Sequence, residues 1–395
     1  MKNLKGWETQ SYVILKEEVY ETYGRRITSY RDCVQLADEI YNKTSFRIHQ
    51  NTLRRFFGLV RTEHAPSLGT LDILSKYCSF DSLNELLRFR NKDAKCNING
   101  EGKSILNYLV SLFEFTKIRN VNDETFFAVV KQVILFLQEN PELIHKFQRA
   151  IAKTKNGQEF YFEQFVNIDK LNFYYGDGLR FYLNEKKTIE AQIFGNSLLL
   201  FKAWLSNDGE NLKKHFNEVT KKRLPKNVPP FASGHYYASH LFHAEQLGFN
   251  TQEILLNTQH VHNTIKSSHN KNILFPEFEY TIVNALVLTH HYKEALYYLD
   301  YAENNYATRH SYIYEGYYGN LNLMKSIALS RTGEKKKAIA IYNSIRPSQF
   351  FFLSKKTNMM LYFLLSGYLN KKRDKEDEQF QKLIEETGYI KYLSF

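Results

Sequence analysis

Apolar positions recur at intervals of three and four along almost the whole chain, the period of helices that bury one face. SYVILKEEVYETYG predicts a first helix that stops at Gly24. In TSYRDCVQLADEIYNKT, Cys33, Leu36, Ala37, Ile40 and Tyr41 form one stripe behind a Thr28 or Ser29 cap, and the helix ends near 42–44. A short turn through Phe46 and Arg47 leads into RIHQNTLRRFFG, where the pattern predicts a third helix of about ten residues. His49, Thr52, Leu53 and Phe56 fall on one side of it with Phe57 on the flank, and Gln50, Asn51, Arg54 and Arg55 fall opposite. PSLGTLDILSKYCSF supplies a fourth helix with Leu68, Leu71, Ile73, Leu74 and Tyr77 apolar, and Asp81 or Ser82 caps a fifth, LNELLRF. Five helices with a tight turn between the second and third predict a compact N-terminal domain over 1–90.

The pattern breaks at 91–103. NKDAKCNINGEGK is polar, holds two glycines and has no apolar period, so it reads as a linker. Amphipathic helices then fill 104–395, and from about residue 189 they come in pairs. IEAQIFGNSLLLFKAW precedes ENLKKHFNEV, ASGHYYASHLFHAEQ precedes TQEILLNTQHV, and FEYTIVNALVLTH precedes YKEALYYLDYAENN. YYGNLNLMKSIALSR precedes EKKKAIAIYNSI, and FLSKKTNMMLYFLLSGYL precedes DKEDEQFQKLIEET. The pairs recur roughly every 35 to 44 residues, the mark of an α-solenoid in which each pair buries its apolar face on the next. The expected fold is all-α.

Composition agrees with a folded helical chain: 43% hydrophobic and 15% aromatic residues, with seven prolines and eighteen glycines in 395 residues. The three cysteines, Cys33, Cys78 and Cys96, have no metal or disulfide spacing and fit a reducing compartment. MKNLKGWETQ lacks a hydrophobic signal core, and no run approaches the ~18 apolar residues of a membrane span, so a cytoplasmic protein with no membrane partner is expected.

The net charge of +11 is unevenly spread: Arg25 to Arg61 holds eight basic and three acidic residues, and from Lys43 to Arg61 five basic residues face no acidic one. The polar side of the third helix carries the residue types that read base edges. Gln50 and Asn51 can each pair with adenine through two hydrogen bonds, and Arg54 and Arg55 can do so with guanine. Lys43, Arg47, Arg61 and Ser67 are placed to meet phosphates. The expected partner is double-stranded DNA.

The order LADEIYNKT, TLRRFFG, PSLGTLDILSKYCSFDSLNELL resembles the helix-turn-helix domain of Cro/repressor-type (XRE-like) bacterial regulators. Leu36–Ala37, Thr52–Leu53 with Arg54 or Arg55, Pro66–Ser67 with Thr70–Leu71, and Leu83–Leu87 match that family's motif places. The match covers about 12–90, and both the turn between the second and third helices and LVRTEHA after Gly58 are longer than usual. The later pairs resemble tetratricopeptide repeats, with Ala295, Leu299 and Ala302 in one second helix and Ala338, Tyr342 and Ile345 in another, after a Gly333 turn. These resemblances imply a DNA-binding transcriptional regulator whose repeat domain dimerises the protein, receives a signal, or both. Cro-type domains fused to such repeats are often receptors for small peptides. Asn284, Asn320 and Asn322 would then clamp the peptide backbone, because an amide side chain both donates and accepts.

Tyr and Phe recur in clusters such as Phe173–Tyr175, Tyr236–Tyr237, Tyr317–Tyr318 and Phe350–Phe352, as fillers between repeat units or as lining of a peptide groove. His235, His240 and His243 share a predicted helix but lack further ligands at metal spacing, so packing is the expected role and no metal site follows. There is no GxxxxGK[ST], GxGxxG, GxSxG or paired-cysteine signature, so no catalytic residue, enzyme activity or cofactor is expected. The rival reading is a protein- or peptide-binding scaffold whose degenerate helix-turn-helix does not touch DNA; an enzyme with an unrecognised site is a third.

Overall fold

A computed structural model describes residues 10–62, 65–78, 80–94, 100–118, 123–221, 223–225, 228–267, 275–306, 315–370 and 376–395. Every regular element among them is helical, and none of the helices is long and apolar enough to cross a membrane. The chain divides into two compact units, 1–104 and 105–395.

The first unit holds α1 (Gln10–Tyr23), α2 (Tyr30–Thr44), α3 (Gln50–Phe56), α4 (Leu68–Tyr77) and α5 (Leu83–Ala94). Cys33, Leu36 and Ile40 of α2 are buried with Leu53 and Phe56 of α3, Leu71 and Leu74 of α4, and Leu15 and Val19 of α1. Ser29 caps α2 in a reciprocal box, its hydroxyl accepting the Asp32 N–H while Asp32 accepts the N–H of Ser29. Arg90 ties α5 to α1 through Glu18 and Glu21 at 2.6 and 2.9 Å.

Three expectations shift. The third helix spans seven residues, because His49 stays extended and serves as its cap, Nδ1 accepting the Asn51 N–H at 3.1 Å, while Gly58 at φ +78° ends the following turn. Tyr41 and Leu68, counted as apolar-stripe residues, are exposed; Tyr41 lies under the Arg47 guanidinium, 4.6 Å from its ring centroid. The stretch 91–103 is partly helical, since α5 continues to Ala94 and α6 opens at Gly100.

The second unit continues with α6 (Gly100–Phe115), α7 (Glu124–Glu139), α8 (Pro141–Ile151), a π-helical stretch at Gly157–Gln164, a 3-10 turn at Ile168–Lys170 and α9 (Tyr174–Glu185). Ten helices follow in pairs: α10 (Ile189–Leu205) with α11 (Gly209–Thr220), α12 (Pro230–Leu247) with α13 (Gln252–Ser267), and α14 (Glu277–Leu288) with α15 (Tyr292–Asn305). α16 (Glu315–Arg331) pairs with α17 (Lys335–Ser344) and α18 (Lys355–Tyr368) with α19 (Glu376–Thr387). The first helix of each pair packs on the first helix of the next: α10 on α12, α12 on α14, α14 on α16, α16 on α18.

The start of this unit also meets its end. The Asp169 carboxylate accepts the N–H of Lys356 at 2.8 Å, the N–H of Thr357 at 2.9 Å and the Thr357 hydroxyl at 2.7 Å, so it caps α18 from 187 residues away. Tyr389 donates its hydroxyl to Ile168 O, Tyr317 donates to Gln164 O at 2.9 Å, and Asn172 donates to Thr387 O at 2.8 Å. Gly316 lies so close to this seam that a Cβ there would sit 2.7 Å from Phe351 Cα. Trp204 donates to Glu245 at 2.7 Å, and Lys391 of the last turn pairs with the same carboxylate at 3.0 Å.

Asp169→Ala would strand two buried N–H groups and a hydroxyl at once, which should cost about 3 kcal/mol of stability. Asp169→Asn should lose less, because its amide oxygen still accepts one N–H. Urea denaturation followed by far-UV circular dichroism measures both; an unchanged midpoint for Asp169→Ala would remove Asp169 as the clasp.

Candidate nucleic-acid interface and ligand cavity

In the first unit, α3 is held by its apolar side. Leu53 and Phe56 are wholly buried, Phe57 packs on Phe56 and Tyr20 at ring separations of 5.0 and 5.4 Å, and Lys16 lies over Phe56 at 5.6 Å. The opposite side carries the base-reading side chains. Asn51 and Arg55 are exposed; Gln50 and Arg54 are half-buried. Tyr30, at the start of α2, gathers two of the four: Arg54 lies over its ring at 5.2 Å and Gln50 approaches its hydroxyl at 3.5 Å. Arg54 also donates to Asn51 Oδ1 at 3.1 Å. The Arg55 guanidinium has no hydrogen-bond or ion-pair partner among the described residues.

The phosphate candidates are all exposed. Arg47 rests on Tyr41, and Lys43 lies over Tyr77 at 5.0 Å, a ring whose hydroxyl donates to Glu39 at 2.8 Å. Arg61 is in the segment after α3. Ser67 caps α4 by accepting the Thr70 N–H at 3.3 Å. Sequence reasoning missed Tyr30 and the Lys76–Phe46 stack at 4.6 Å. Their signal was an aromatic residue beside, not within, each apolar stripe. Such stacks contribute about 0.5–1 kcal/mol each at exposed sites and hold long cationic side chains in place.

Of the cysteines, Cys33 and Cys78 are buried free thiols, and burial pushes the Cys33 thiol up to about 11, which keeps it unreactive. Cys96 lies outside the described residues.

In the second unit, α10, α12, α14, α16 and α18 line a partly open cavity of about 420 Å³, within the size range of small-ligand sites. Phe194, Phe231, Phe275, Tyr280, Tyr317 and Phe351 give it an aromatic wall. Asn284 and Asn320 line it, but each spends one amide N–H within the protein, Asn284 on Tyr280 O at 2.7 Å and Asn320 on Asn358 Oδ1 at 2.8 Å. Each amide keeps its oxygen and a second N–H beyond that bond. Asn322 is exposed and does not line the cavity, because two residues along a helix is a rotation of about 200°.

His235 lines the cavity, hydrogen-bonded to Ser197 at 3.1 Å, and burial lowers it to about 4, so it is neutral near pH 7. His240 and His243 pack on Phe216 at 5.0 and 3.7 Å, the packing role expected for them. Among the described residues there is no cluster of three metal-ligating side chains. Glu163 is taken by Lys186 and the Tyr182 hydroxyl. Glu277, at the first position of α14, is different. It faces the cavity with the Phe231 N–H as donor and no cation beside it among the described residues, and burial together with the nearby Glu279 raises it to about 7. Glu279 itself is fully buried against His262 at 2.7 Å.

The chain matches no protein-family model, no curated protein and no solved structure.

A carboxyl raised from 4.5 to about 7 by folding stabilises the fold only while protonated, so its contribution is complete below about pH 4.5 and is lost as pH rises through 7. Glu277→Gln should therefore gain stability over the parent between pH 5 and pH 8 and differ little from it at pH 4.5. Thermal unfolding across that series measures the difference; a gain independent of pH would show that Glu277 ionises normally.

Proposed function

We propose that this chain is a sequence-specific DNA-binding transcriptional regulator, with a helix-turn-helix domain in its first unit and a tetratricopeptide-like helical-repeat sensor and dimerisation domain in its second. The observation that carries the reading is the polarity of α3: Leu53 and Phe56 are buried, while Asn51 and Arg55 face solvent beside Gln50 and Arg54. A short helix anchored by one side and lined on the other with Gln, Asn and Arg suits a major groove. Arg54, already oriented by Tyr30 and Asn51, would exchange those partners for a guanine edge, each bidentate pair giving about 1–3 kcal/mol of base discrimination. Lys43, Arg47, Arg61 and Ser67 would set register on the phosphates. The stacking of first helix on first helix supports the repeat reading, and the cavity offers a place for a signal. A homodimer would present two reading helices to the half-sites of a palindrome.

The rival reading is a protein- or peptide-binding repeat scaffold that does not touch DNA. It draws on the cations of the first unit that already rest on aromatic rings.

Selection from random duplexes, followed by gel shift on the enriched site, separates the two. Arg54→Ala with Arg55→Ala should abolish retention while changing stability by about 1 kcal/mol or less. Lys43→Ala and Arg47→Ala should weaken all duplexes alike and reduce the slope of log K against log salt by about 0.9 for each phosphate no longer neutralised. Undiminished binding by the double Arg variant, or no enrichment from the random pool, would favour the scaffold.

A further inference from the structure

The cavity in the second unit is lined by carboxyl groups and π faces but by no cation. None of the lining residues is Lys or Arg. Its ionisable lining side chains are Glu163, His235, Glu277 and the phenols of Tyr280, Tyr317 and Tyr392. Glu163 has its counter-ion in Lys186, and His235 is hydrogen-bonded to Ser197, which leaves Glu277 as the lining carboxylate without a counter-ion among the described residues. Two further polar atoms on the wall are buried and unpartnered: Asn320 Oδ1, on a side chain 4% exposed, and the Tyr392 hydroxyl, on one 1% exposed. Asn284 also directs one amide N–H back into its own helix. A buried acceptor that meets no donor, such as Asn320 Oδ1, is costly.

Four aromatic residues of the cavity lining pack into one cluster. Phe275 lies 5.4 Å from Tyr280 and 5.3 Å from Tyr317, Tyr280 and Tyr317 are 5.2 Å apart edge to face, and Tyr317 stacks on Phe351 at 4.6 Å. π faces attract an organic cation and tolerate an apolar body. An anionic ligand would instead meet a carboxylate with no cation to answer it.

We propose that this cavity binds an apolar ligand through a primary ammonium group, seated against Glu277 and beside the Phe275–Tyr280–Tyr317 cluster, with the apolar part of the ligand against Leu198, Leu288 and Leu361. The inference rests on the reading of the second unit as a sensor. The same chemistry is offered by a small hydrophobic amine and by the free N-terminus of a short apolar peptide.

The test uses the full chain without DNA, so its outcome is independent of the DNA-binding reading. Calorimetric titration compares 2-phenylethylammonium with its neutral analogue 2-phenylethanol and the anion 3-phenylpropionate. A second arm compares the tripeptide amide Leu-Phe-Leu-NH2 with its N-acetylated form. The ammonium probes should bind at least tenfold more tightly than the neutral ones, and the anion should not bind. Glu277→Gln should abolish that tenfold preference while leaving the binding of phenylethanol unchanged. A tripeptide amide tighter than phenylethylammonium points to peptide N-termini; the reverse order points to small amines; either supports the site. Equal binding of cation, alcohol and anion, binding of none of the probes, or a preference that survives Glu277→Gln would overturn it. If the acetylated tripeptide alone bound, the sensor reading would stand and the ammonium would be discarded.

Discussion

The second unit depends on one carboxylate placed at the end of a helix far from it in sequence. A stack of helical pairs in which each pair touches only its neighbours has no reason to bring its ends together. Asp169 supplies one. The first N–H groups of α18 have no partner within their own helix and carry partial positive charge, and a buried carboxylate answers both needs. Burial alone raises this carboxyl above the ordinary aspartate range; the two N–H groups, the Thr357 hydroxyl and the Lys356 charge oppose that rise. Tyr389, Tyr317 and Asn172 then close the seam on either side. The cavity adjoins this clasp, since Ile168, next to Asp169, and Thr357, which donates to it, are among its walls.

The first unit solves a different problem, that of presenting long polar side chains without letting them wander. A helix of seven residues is too short to be stable alone, so α3 exists because Leu53 and Phe56 are locked into the core. Ordering an arginine costs up to about 2 kcal/mol of rotamer freedom. Tyr30 and Tyr41 meet part of that cost before any partner arrives, by holding Arg54 and Arg47 on their faces. Arg55, without such support, is left to adjust.

Much of this was legible in the chain. Helix positions followed from the period of the apolar residues, and the ten paired helices of the second unit stand where IEAQIFGNSLLLFKAW through DKEDEQFQKLIEET put them. The base-edge residue types on α3 were visible because a wheel needs only local spacing. Two kinds of feature were not. Tyr41 looks like any other apolar residue at i+8, and only the neighbouring Arg47 explains its exposure. Asp169, 187 residues from its partner, sits in an unremarkable turn, and no local rule connects it with Lys356 and Thr357. The placement of the asparagines was out of reach for a related reason. Periodicity places Asn320 inward and Asn322 outward only once the inner face of α16 is known. One N–H of each lining amide is then claimed within the protein, that of Asn284 by Tyr280 one turn earlier in α14 and that of Asn320 by Asn358 across on α18.

The two units offer opposite chemistry. The exposed side of α3 and its surroundings offer donors and positive charge, which suit phosphate and base edges; the cavity offers carboxyl groups and π faces, which suit a cation. The net charge of +11 thus says nothing about the cavity. A molecule fitted to one is repelled by the other, so a polyanion and an ammonium ligand do not compete for the same groups. Any influence of one on the other must run through a difference in ligand affinity between two arrangements of the protein, because a ligand with equal affinity for both shifts nothing. In the second unit the seam at Asp169 is where such a difference would arise, since the cavity is built from both sides of it.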